Sequence, residues 1–124
     1  KRPENHAWEV GMLLLRILLV TILVVLTGYT LIVISNHGWN LLEVFFGDMF
    51  EMGWPGQFNL DFMGFLTLSA VWTAWRHHFS PLGLALGLIA FFGGMAFLAT
   101  YLLITSYKVK GDVKALLLGS QRAA

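Results

Sequence analysis

Few groups in this sequence are able to do chemistry. Asp61 is the one formal charge inside the apolar run Phe58 to Trp75, which Arg76-His77-His78 closes. A carboxylate in such a run is costly unless paired or hydrogen-bonded, which makes it a default candidate for a functional site. With Asn59, Trp54 and Tyr101 it would form a ligand-binding set suited to a lipid or isoprenoid-type molecule. A structural role is equally open: near the first turn of a helix, Asp61 faces the positive end of the dipole and, with Asn59, caps free N–H groups.

The histidines are His6, His37, His77 and His78. Adjacent His77 and His78 point about 100° apart on a helix and make a poor chelate, and no HxxxH or HExxH spacing occurs. With Arg76 they suit a polar collar at a membrane surface. His37 follows the first apolar run directly and is the one weak candidate for a metal, haem or pigment ligand. There is no cysteine, so thiolate metal sites, iron–sulfur clusters and cysteine nucleophiles are excluded. No nucleophile elbow, phosphate-binding glycine loop or paired acids at helical spacing occur within an apolar run. No catalytic residue is assigned, and no cofactor is expected beyond a bound lipid or pigment.

The elements that must position these groups follow from composition. The chain has 124 residues, 57% hydrophobic and 12% charged, with a mean hydropathy of +0.71. Soluble domains carry about 25% charged residues. Half that share is too little to coat a water-soluble sphere, and the chain is too apolar to stay unfolded. The net charge of +1 makes no field that would draw nucleic acid. The first residue is Lys1, and the first apolar run is too long for a signal-peptide core, so no signal peptide is expected.

Three apolar runs, residues 17–35, 58–75 and 82–107, are expected to span a bilayer whose core is about 30 Å thick. The first helix can start earlier, near Asn5 to Trp8, leaving Arg16 to snorkel from within it. Ser80 and Pro81 suit the cap and first position of the third helix. Residues 40–52 fit a short amphipathic helix lying in the interface, and Gly53-Trp54-Pro55-Gly56 a turn. The tail, residues 108–124, is too short to span and is expected to dock on the membrane surface or on a partner. The expected fold class is all-α: one integral membrane bundle of three transmembrane helices plus an interfacial helix, over residues 1–124.

Three spans would put the N-terminus and the Arg76 loop on one side, and the acidic first loop and the basic tail together on the other. Lys and Arg then tie between the two sides, and the first flank favours a cytoplasmic N-terminus. Gly83, Gly87, Ala90 and Gly94 make a small-residue stripe on the third helix, facing Gly64, Thr67, Ala70 and Ala74 on the second. Trp8, Trp39, Trp54, Trp72 and Trp75 all fall near expected helix ends, where indole suits the headgroup boundary.

Several segments together resemble an uncharacterised family of small bacterial three-span integral membrane proteins. They are Asn36 to Leu42, the acidic-aromatic loop, Phe58-Asn59-Leu60-Asp61-Phe62, Val71-Trp72-Thr73-Ala74-Trp75-Arg76, and a glycine-bearing last helix ending in a tyrosine-rich segment. The resemblance covers about Ile17 to Tyr107. It implies an intramembrane Asp at the start of the middle helix, at Asp61, and a bacterial inner-membrane location, and it imports no reaction. The tail beyond Lys108 is less typical of it. The functional expectation is a non-catalytic accessory or scaffolding subunit of a membrane complex, whose partners are lipids and other membrane subunits or copies of itself. The alternatives are a lipid-type ligand site at Asp61 and pigment or haem binding at His37.

Overall fold

The computed structural model describes residues 3–124, with side chains from Ala7 onward. Lys1, Arg2 and the His6 side chain lie outside the described residues. The chain is all helical: α1 (Pro3–His37), α2 (Leu41–Phe50), α3 (Trp54–Arg76), α4 (Pro81–Lys108), α5 (Val113–Leu118) and α6 (Ser120–Ala123). Two segments, Ala7–His37 and Pro81–Lys108, are long and apolar enough to cross a membrane. The expected third, α3, has the length at 23 residues but not the apolarity, because it carries Gln57, Asn59, Asp61 and Arg76.

Helix α3 starts four residues before the expected boundary. Gly53 is its extended N-cap, and Trp54-Pro55 form its first turn rather than a loop. Proline is tolerated there because a first-turn N–H has no intrahelical acceptor to lose. Gly56 is buried, and a Cβ on it would run into the Asp48 carbonyl and the Met49 backbone, so this glycine sets how closely α2 lies on α3. Asn59 secures the same contact, donating to Phe45 O at 3.1 Å and to Asp48 Oδ2 at 3.4 Å.

The third expected run forms a helix but not a straight one. It opens as its sequence suggests, with Ser80 Oγ accepting from Gly83 N–H at 3.1 Å and Pro81 in the first turn. Gly83 then packs on Ala74 and His77, and Gly87 on Ala70. Inside α4, Gly94 has φ 56° and ψ −142°, a backbone closed to side-chain-bearing residues. There the chain reverses. Gly94 lies against Phe62 and Leu66, yet seven residues later Tyr101 reaches His77 at the far end of α3. A straight helix would carry Tyr101 about 27 Å along the axis from Gly83, out of reach of His77. The descending limb thus runs antiparallel to α3, and the returning limb runs parallel to it.

That reversal corrects the expected topology. The tail lies at the Arg76 end of α3, and α2 lies at the Gly56 end, about 30 Å away along α3. The acidic loop and the basic tail do not meet. The described Lys and Arg residues, Arg16, Arg76, Lys108, Lys110, Lys114 and Arg122, gather at one end, while Glu43, Asp48, Glu51 and Asp61 belong to the other half.

Helix α1 packs on α4, with its buried and half-buried positions running from Met12 to Leu26. Met12 and Leu19 are buried, and Met12 lies against Gly111. Arg16 is the joint: Nε donates to Ser106 Oγ at 3.0 Å, Nη2 donates to Ser106 O at 3.1 Å, and the guanidinium sits 3.9 Å from the centre of the Tyr107 ring. From Thr27 to His37 every residue except Ile34 is exposed.

Candidate functional site

The densest polar arrangement lies at the end of α3. Successive turns of this helix supply Trp72, Trp75 and Arg76, and His77 is its C-cap. Arg76 is only 9% exposed. Its Nε donates to Leu116 O at 2.8 Å, Nη2 to Ala115 O at 3.0 Å and Nη1 to Tyr101 Oη at 3.1 Å. These acceptors are all neutral. Ala115 and Leu116 belong to the last turns of α5, whose terminal carbonyls have few partners of their own and form the negative end of its dipole. The guanidinium therefore caps a helix from another part of the chain.

The tail is held at two further points. Trp72 Nε1 donates to Leu117 O at 3.0 Å. Arg122 Nη1 donates to Trp75 O at 2.6 Å while its guanidinium lies 3.9 Å over the Trp75 ring. Asp112 caps α5, its Oδ1 accepting from the N–H groups of Lys114 and Ala115. Gly119, at φ 87°, passes so close to Arg76 O that a Cβ there would sit 3.1 Å from it.

Tyr101 links Arg76 to His77, its Oη lying 2.6 Å from His77 Nε2. With Arg76 donating to the hydroxyl, its own hydrogen is free to go to an unprotonated Nε2, so the network fits neutral imidazole. Burial pushes the His77 pKa down, and the positive charges of Arg76, His78 and Lys108 push it the same way. The unfolded chain then binds more protons than the folded one below about pH 6.5, so stability is present above that pH and is lost as pH falls toward the lowered folded value. We expect the unfolding midpoint in detergent to drop between pH 7.5 and pH 5.5 and the drop to shrink in His77→Gln. A pH response unchanged by that substitution would place it elsewhere.

The expected ligand set does not assemble. Asp61 is the eighth residue of α3 and exposed, because the helix begins at Trp54, so it does not cap the first turn. Asn59 is committed to α2, Trp54 is exposed and tilts against Phe58, and Tyr101 is at the opposite end of α3. Of the packing glycines, Gly83 and Gly87 meet α3, Gly94 is the reversal point, and Gly64 has open space around it. Trp8 and Trp39 are exposed, as is His78. Arg76 is a buried anchor rather than part of an open collar. His37 ends α1 exposed, and no three His, Cys, Asp or Glu residues cluster to hold a metal among the described residues.

Sequence reasoning missed the tail's carbonyls as partners of Arg76, since no side-chain motif reports a backbone acceptor. It also missed the Gly93-Gly94 reversal, for which the glycine pair was an available signal. Chemically, the cluster combines a neutral donor–acceptor pair with a saturated guanidinium. It can hold the tail in place, and it presents no activated nucleophile. Compared with protein-family models, with curated proteins and with solved structures, the chain has no match.

Proposed function

We propose that this chain is a non-catalytic accessory or scaffolding subunit of a larger integral membrane assembly, with α1 as its docking helix. The observation that carries this is the end of α1: from Thr27 to His37 it is largely apolar, and every residue except Ile34 is exposed. Thr21, Gly28 and Ser35 recur every seven residues along it, and a Cβ at Gly28 would meet nothing. Small residues let another helix approach closely in lipid, where no hydrophobic force drives association.

The charge distribution supports an orientation. With the described Lys and Arg at one end and the loop acids at the other, the positive-inside rule no longer ties. It favours a cytoplasmic N-terminus, Arg76 loop and tail, as in a bacterial inner membrane. The chain lacks cysteine, so single cysteines at Gln121 and Gly38 report this directly. An impermeant thiol reagent applied to intact cells should label the second and spare the first.

The test of the partner role is a photocrosslinker at Gly28 of the full chain in native membranes. A discrete adduct with another membrane subunit or a second copy is expected, with none from Leu88 on α4. If Gly28 captures only lipid, the accessory role is wrong.

A further inference from the structure

The reversal of α4 leaves a groove between α3 and the returning limb. It is open on one side and holds about 510 Å³, within the roughly 300–1,000 Å³ of pockets that enclose small molecules. Phe62, Phe65 and Leu66 line its deep part beside Gly94 and Met95, and Trp72 and Leu98 line the part nearer the tail. Ser69 also lines it, and the Ser69 Oγ has no hydrogen-bond partner, whereas Thr67 and Thr73 on the same helix each donate to the carbonyl four residues back.

We infer that this groove holds one acyl chain of an anionic phospholipid, with the headgroup at the tail end. Three observations converge on that occupant. From Trp72 to Phe62 the groove follows ten residues of α3, about 15 Å, which is half of a hydrocarbon core of about 30 Å and so the depth of one leaflet. Its shallow end opens below the end of the molecule where Arg76, Lys108, Lys110 and Arg122 gather, and an anionic headgroup is attracted there. Arg76 and Arg122 are engaged by the chain's own carbonyls, while Lys108 and Lys110 are exposed and free to reach a phosphate. Finally, Ser69 Oγ is buried beside the groove without a hydrogen-bond partner, and an ester carbonyl entering the groove would offer it one. The lateral opening lets a chain enter from the bilayer without unfolding the protein.

The inference rests on the membrane placement proposed above and not on the partner role. It is tested with the full chain in nanodiscs of phosphatidylcholine containing a minor fraction of phosphatidylglycerol brominated on its acyl chain. Quenching of Trp72 is obtained by difference from Trp72→Phe. Brominated phosphatidylglycerol should quench about tenfold more effectively than brominated phosphatidylcholine, as one or two lysines near an anionic headgroup would give. Met95→Phe, which fills the groove, should abolish that preference. Ser69→Ala, which cannot disturb packing in the same way, should weaken it several-fold. Equal quenching by the two lipids in the wild-type chain, or a preference untouched in both variants, would overturn the inference. Protection of Trp72 from all lipid would also overturn it, since a protein segment would then occupy the groove. A preference found without any Gly28 adduct would remove the partner role alone.

Discussion

Replacing both Gly93 and Gly94 by alanine is expected to straighten α4. Gly94 sits at φ 56° and ψ −142°, where a side chain costs about 1–3 kcal/mol. A Cβ on Gly94 would also lie 3.2 Å from Phe62 Cζ, and one on Gly93 would lie 2.7 Å from Phe97 Cβ across the reversal. The continuous helix has the opposite preference, gaining about 1 kcal/mol for each glycine replaced by alanine. Both effects favour the straight form, in which 28 residues reach about 42 Å. Spin labels at His78 and Lys108 measure this. The wild-type chain should give a short separation, because Lys108 is near enough to bear on His77 electrostatically, and the double variant should give about 40 Å. A short distance retained in the double variant would show that the reversal does not depend on glycine. The straight form also loses the Arg16–Ser106 and Arg76–tail contacts, so a drop in stability should accompany the change in distance.

The same two glycines explain where sequence reasoning worked and where it failed. Local chemistry was legible: Ser80-Pro81 reads as a helix start and is one, and Gly83 and Gly87 read as a packing face and meet α3, whereas Arg16, expected to snorkel, is held within the chain by Ser106 and Tyr107. Topology was not, because hydropathy records length and apolarity but not the sign of φ. Glycines are common in apolar helices, so Gly94 passed for one more packing residue. Counting the run as a third crossing then sent the tail to the acidic side and made the Lys and Arg distribution look balanced. A smaller error of the same kind displaced Asp61: reading Trp54-Pro55-Gly56 as a turn moved the start of α3 by one helical turn, and a mid-helix exposed carboxylate looked like a cap.

Substituting Arg76 by methionine is expected to release the tail. Methionine keeps much of the apolar stem but removes every donor, taking the Arg76 bonds from the Leu116 carbonyl and from the Ala115 carbonyl, which keeps only Gly119 N–H. A six-residue helix is far too short to persist alone, so α5 depends on what it docks against. Hydrogen bonds from a charged donor are worth about 1.5–3 kcal/mol each, and bonds sharing one guanidinium are not additive, so the loss should be about 3 kcal/mol. Limited trypsin digestion should then cut at Lys114 and Arg122 faster than in the wild-type chain. Two companion variants separate the causes. Arg76→Lys keeps the charge but cannot reach three acceptors with a planar fork, so its tail should be cleaved at an intermediate rate. Tyr101→Phe removes one neutral partner and leaves both tail bonds, so its tail should stay protected at a cost of about 1 kcal/mol. Wild-type protection in Arg76→Lys would mean that positive charge at the end of α5 is sufficient. Rapid cleavage in Tyr101→Phe would mean that the hydroxyl, by orienting the guanidinium, is what holds the tail.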